Sequence, residues 1–292
     1  MPVLENFQVG YNHLEGELPS NIGMLGNRGL TMKQFQLNNN ELAGSIPEDL
    51  CEYMPNLLAL YVNKNKLSGI LPPCFGDSFQ SVTHVDLHGN SFAGVLPESL
   101  CEGSQLLKQF TIHQNSFRGT IPACYGFAFP ELEQLFLQDN DFHGEIPSSW
   151  NLPKLQSLIM SNNPRLSGKL PTSLFTQDAA NGATVSGALN AVVLEGTQVS
   201  GTIPGDGLCS ATGLTTIALS GNRLRGPLPD CISRLEQLQT FRAASNVRSQ
   251  LSKPRPCISL LTTLFRSARI HSGSRALFRT RSARCARCGR WT

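Results

Sequence analysis

His113 and Cys124 stand eleven residues apart in the stretch FTIHQNSFRGTIPACYG, and such a pair can build a nucleophile or hold a metal. His88 lies 25 residues before His113, with Asp86 two positions upstream of it. A histidine beside a carboxylate is a group that titrates near neutral pH. Six of the nine cysteines, at 51, 74, 101, 124, 209 and 231, recur at separations of 22 to 23 residues within successive pairs. The CARC at 285–288 is a lone CxxC with no second pair at zinc-ribbon spacing, and it is assigned no role. Which of these groups meet depends on the elements that carry them.

Those elements repeat. LLALYVNKNKLSGILP begins at Leu57, VTHVDLHGNSFAGVLP at Val82, LKQFTIHQNSFRGTIP at Leu107 and LEQLFLQDNDFHGEIP at Leu132, each 25 residues after the last. Earlier copies start at Leu4 and Met32, later ones at Leu155 (with one extra residue), Leu189 and Leu214, and a partial tenth runs from Leu238 to Asn246. A fixed period of this length marks a stacked solenoid. Insertions stretch the period at residues 20–31 and 173–188, the second containing TQDAANGATVSG.

Each position within the repeat has a physical task. Leu57, Leu60 and Val62 point inward while Ala59, Tyr61 and Asn63 point out, the period-two pattern of a short strand. The asparagine that follows, at 12, 40, 65, 90, 115, 140, 163 and 222, both donates and accepts hydrogen bonds, so stacked copies can satisfy the backbone of a tight bend; Thr197 is the exception. The glycine four residues later, as at Gly69, Gly94 and Gly119, permits backbone angles forbidden to side chains, and the proline of Ile-Pro or Leu-Pro prevents a long helix. No single repeat buries enough apolar surface to offset its chain entropy, so each relies on its neighbours.

From Leu4 to Asn246 this pattern resembles the plant-type leucine-rich repeat, LxxLxLxxNxLxGxIP. The resemblance implies an α/β repeat solenoid: a curved, right-handed array with short parallel strands on its concave face and 3₁₀ or short helical turns on the convex side. Members include ectodomains of receptor-like kinases and secreted inhibitors of polygalacturonases. The paired cysteines of the family's N-terminal cap are missing, no Asn-x-Ser/Thr sequon occurs, and no kinase motifs follow.

On this frame Cys51/Cys74, Cys101/Cys124 and Cys209/Cys231 fall on adjacent repeats at nearly the same height. Strands stack about 4.8 Å apart, and a two-residue helical offset adds about 3 to 4 Å sideways, placing each pair near 6 Å between Cα atoms, within disulfide reach. An extended segment would put them near 8 Å, so bridging requires a helical turn after the proline. The spacing favours three disulfides over the other reading, reduced apolar cysteines in the convex layer. His113 lies on the strand side of the bend and Cys124 beyond it, so the two should not meet and no catalytic pair is expected.

Outward residues of successive strands form columns. One reads Gln8, Gln36, Tyr61, Asp86, Thr111, Phe136, Ile159, Val193, Ala218; the next Gly10, Asn38, Asn63, His88, His113, Gln138, Ser161, Glu195, Ser220; a third contains Tyr11, Asn39, Lys64, Gly89, Gln114, Asp139 and Asn162. The centre gathers Tyr61, Asp86, His88, His113, Phe136, Gln138 and Asp139, a mixture of aromatic anchors and hydrogen-bonding groups suited to recognition. Two histidines on a flat sheet make a poor metal site, and no metal or other cofactor is expected.

Of the 24 lysines and arginines, eleven lie in residues 247–292, which hold no acidic residue; the body, with 13 basic and 21 acidic residues, carries a net charge of −8. An argument for nucleic acid would rest on that tail alone. Three readings of it compete: a disordered extension, a segment binding acidic polymers or membranes, or translation from a wrong frame or intron, which the abrupt change of composition favours. No apolar run reaches the roughly 18 residues needed to cross a bilayer. The opening MPVLENFQVG enters the pattern directly, so the true N-terminus is expected to lie upstream. The expectation is a repeat domain over 1–246 and a basic tail over 247–292. The array is read as a monomeric, non-enzymatic module of the cell surface or extracellular space that binds a protein or peptide through its concave face. The alternatives are a secreted inhibitor of a wall-degrading hydrolase and a structural wall or matrix protein.

Overall fold

A computed structural model of the chain describes residues 3–25, 30–178, 184–185 and 188–246. The reading of residues 247–292 as a separate tail lies outside the described residues.

The repeats build one parallel sheet of ten three-residue strands, from Asn6–Gln8 through Ala59–Tyr61, His84–Asp86, Gln109–Thr111 and Gln134–Phe136 to Thr240–Arg242, neighbours in sequence being neighbours in space. The register is unbroken: Gln8 pairs with Gln36, Gln36 with Tyr61, Tyr61 with Asp86, Asp86 with Thr111 and Thr111 with Phe136. The middle residue of each inner strand, among them Phe35, Leu60, Val85, Phe110, Leu135 and Leu158, is buried in one continuous core, against which Phe7 and Phe241 of the two end strands pack partly buried. Even stacking thus turns a 25-residue period into spatial adjacency.

A second parallel sheet, to which the repeat pattern assigns no strands, lies past the asparagines. Its five strands, Ser68–Gly69, Ser91–Gly94, Ser116–Gly119, Asp141–Glu145 and Arg165–Ser167, come from the xLxG segments. The glycines that end or interrupt them are left-handed, with φ of 83° at Gly69, 84° at Gly94 and 90° at Gly119. Room matters there as well as angle: a Cβ on Gly119 would lie 2.7 Å from a methyl of Val95, the residue after the preceding glycine.

The recurring bend is held by an asparagine ladder. Asn65 accepts the backbone N–H of Leu42 at 3.1 Å and donates to the carbonyls of Leu37 and Val62, both at 3.0 Å. The same connections recur at Asn90, Asn115, Asn140, Asn163, Asn222 and Asn246. The residue before each of these asparagines, in the third column, is left-handed whatever its type: Lys64 at φ 54°, Gln114 at 55° and Asp139 at 57°, with Gly89 at 65° in the same row. A β-branched side chain is a severe outlier at such angles. Gln114→Val is therefore expected to cost about 2 kcal/mol although the side chain is exposed, while Gln114→Gly is neutral or slightly stabilising. Urea midpoints of the two variants check this; equal midpoints would contradict it.

On the opposite side, short helical turns follow most of the repeat prolines, among them Glu48–Tyr53, Cys74–Asp77, Leu100–Gly103, Tyr125–Ala128, Gly205–Leu208 and the 3₁₀ turn Asp230–Arg234. They bring the three expected cysteine pairs together as disulfides, with Cα atoms 6.0, 6.0 and 5.6 Å apart for Cys51–Cys74, Cys101–Cys124 and Cys209–Cys231. The helical turn that bridging required is present at each.

Candidate functional site

The strands present every first and third residue on the open face of the ten-stranded sheet, and the bend continues that face by two more positions. Tyr61 and Asp86 sit in register on neighbouring strands. The ring of His88 lies two residues past Asp86 and stacks on that of His113, with centroids 4.3 Å apart and planes within 5°. Phe136 meets His113 edge-on at 6.3 Å. The row thus forms a half-buried strip of Tyr61, Asp86, His88, His113 and Phe136, because residues 25 apart are held at one height.

Hydrogen bonds orient the strip. His88 Nδ1–H donates to Asp86 Oδ1 at 2.7 Å, and the same oxygen accepts the His88 backbone N–H at 3.2 Å. Both side chains are largely covered, at 16% and 14% exposure. Asp139, at the left-handed bend, accepts from Asn162 Nδ2 at 2.7 Å. His113 Nδ1 and Gln138 Oε1 are buried without a hydrogen-bond partner. Burial, and next the neighbouring His88 charge, holds His113 below the usual imidazole value. Burial, and next the Asp86 charge, raises the Tyr61 phenol.

Among the expected residues, His88 contacts Asp86 and His113, and His113 meets Phe136. Asp139 stands apart, tied to Asn162 rather than to the rings. Thr111, in the same row as Tyr61 and Phe136, is only 2% exposed and offers no surface.

One neighbour escaped the sequence reading. His84, the first residue of its strand, faces out beside Ala59 and Gln109, its ring 6.5 Å from that of Tyr61 and its Nδ1 2.8 Å from Thr83 Oγ1. Burial, then Lys108, lowers its pKa. The alternation that turned Tyr61 outward also turned this position outward, which was the available signal.

Cys124 belongs to the disulfide on the helical side and His113 to the sheet face, so the pair does not form a joint site. Among the described residues no helix is long and apolar enough to cross a membrane.

Known proteins carry the same architecture. The model of the Leucine Rich Repeat matches residues 56–78, 81–102 and 213–235. No curated protein sequence matches the chain. Among solved structures, the plant peptide hormone receptor RGFR1 in complex with RGF2 is 26% identical with a TM-score of 0.75, covering 83% of this chain and 36% of its own. The Arabidopsis receptor kinase HAESA, in complex with the peptide hormone IDA and the co-receptor SERK1, is 25% identical with a TM-score of 0.70, covering 83% of this chain and 42% of its own. A plant ice-binding protein, 18% identical with a TM-score of 0.63 over 84% of this chain and 76% of its own, shares the fold alone. The chain thus spans less than half the length of the receptors it matches. Its repeats are of the plant type, and its fold is a leucine-rich repeat solenoid.

Proposed function

We propose that this chain is the recognition segment of a receptor-like ectodomain, which binds a peptide or protein on the open face of the ten-stranded sheet outside the cell. The half-buried strip from Tyr61 to Phe136 carries the reading. Aromatic rings flanked by oriented polar groups supply contact area at low conformational cost, and such residues dominate binding energies. The similarity to two plant receptors solved with peptide hormones supports the ligand class. Three disulfides support an oxidising compartment.

The test is capture from an extracellular extract by the whole chain and by its variants. Tyr61→Ala and Phe136→Ala are each expected to weaken retention of the captured partner by about tenfold or more. Gln36→Ala, on the same face but two positions along the row from Asp86, should leave it unchanged. Retention insensitive to both aromatic changes, in variants with native circular dichroism, would move the binding surface elsewhere.

A further inference from the structure

The two stacked imidazoles both keep Nδ1 on the protein side and leave Nε2 for a ligand, and their surroundings decide what each Nε2 offers. Asp86 accepts the proton on His88 Nδ1, so the neutral ring has a lone pair at Nε2. His113 Nδ1 is buried with no acceptor, so a proton there would be an unsatisfied buried donor, and the neutral ring keeps its proton on Nε2. Neither Nε2 is buried without a partner, and neither is bonded to a described protein group. With the rings 4.3 Å apart and 5° from parallel, the face displays one acceptor and one donor side by side.

We infer that the His88–His113 stack reads a carboxamide of the bound peptide, an Asn or Gln side chain or a C-terminal amide: the carboxamide oxygen accepts from His113 Nε2–H while its NH₂ donates to His88 Nε2. A primary carboxamide carries one acceptor and one donor on the same carbon, which is the complement of this pair. A carboxylate has two acceptors and would face the His88 lone pair and the Asp86 charge. An ammonium has only donors and would face the His113 N–H. Phe136 packs edge-on against His113, and burial first, then any charge on His88, disfavours protonation of that ring, with Lys64 acting the same way and Asp86 and Asp139 against it. This assignment rests on the peptide-recognition reading and adds the chemistry of one subsite.

A displayed library of random heptapeptides, selected on the whole chain at pH 7.4, tests it. The expected result is enrichment of Asn or Gln at one position by about tenfold over the unselected library. That preference should disappear with His113→Phe, which keeps the ring stacking but removes the donor, and with His88→Phe. Should either variant fold poorly by circular dichroism, His113→Gln, which retains an N–H donor, is expected to preserve the preference. Selection of peptides with no amide preference, with a preference for Asp or Glu, or with one that survives both phenylalanine changes overturns the subsite and leaves peptide recognition standing. Failure to enrich any peptide overturns both.

Discussion

Replacing Asn140 by alanine is expected to destabilise the array by about 3 kcal/mol, read as a shift of the urea midpoint at unchanged slope. The side chain is 8% exposed and serves two repeats at once. Its Oδ1 accepts the backbone N–H of Phe117 at 3.0 Å; its Nδ2 donates to the carbonyls of Ile112 and Leu137, each at 3.1 Å. The two carbonyls retain other donors, Asn115 for Ile112 and Asn163 for Leu137. The N–H of Phe117 has no such reserve, and a buried donor left unsatisfied costs about 1 to 3 kcal/mol by itself. Asn140→Asp should be no better at pH 7, because it keeps the acceptor but points a carboxylate at two carbonyl oxygens.

Thr197 shows when the ladder can do without asparagine. Its single hydroxyl proton has two acceptors within reach, the carbonyl of Leu194 and Asn222 Oδ1, but the side chain makes no bond to the preceding repeat as asparagine does. That repeat is one residue longer, with Pro164 inserted in its bend, and the extra residue swings the N–H of Leu166 onto the carbonyl of Asn163 at 3.0 Å. The bend before Asn140 has no insertion, so Asn140→Thr should still orphan the N–H of Phe117 and recover only part of the loss. A threonine variant as stable as the parent would show that the ladder's acceptor is dispensable.

The features carried by spacing were legible before any coordinates. Residues 25 apart must be neighbours once turns stack evenly, so the strand register, the ladder, the cysteine pairs near 6 Å and the stacked His88 and His113 all follow from one period. Features carried by local geometry were not. The second sheet is made of segments as short as Ser68–Gly69, too brief for alternation to declare itself, and their glycines read as breakers. The left-handed row escaped because Lys64, Gln114 and Tyr11 have no preference for positive φ; the hint lay in the glycines at 89, 196 and 221 and in Asn39, Asp139 and Asn162 of that row, types that tolerate it. At the candidate site, the closeness of Tyr61 to Asp86 and of His88 to His113 could be read, but not the proton positions on the two imidazoles. Those depend on which nitrogen each ring buries, and ring rotation has no trace in a repeat pattern.

Reduction of the disulfides is the second large effect, with an expected loss of about 3 kcal/mol for each bond. Each closes a loop of 22 to 23 residues, slightly under one repeat, and joins helical turns of adjacent repeats. Such a link removes freedom from the unfolded chain while adding little contact to the folded one, so the loss should appear without a change of far-UV circular dichroism in the native state. In an array where each repeat touches only its neighbours, the weakening should also be local. Cys101→Ser with Cys124→Ser should lower hydrogen-exchange protection from the turn Leu100–Gly103 through Tyr125–Ala128, and leave strands Gln34–Gln36 and Ala59–Tyr61, which the Cys51–Cys74 bond still supports, nearly as protected as before. Urea melts of oxidised and reduced protein with one midpoint would mean that stacking alone holds these turns, and the argument from spacing to an oxidising compartment would fall with them.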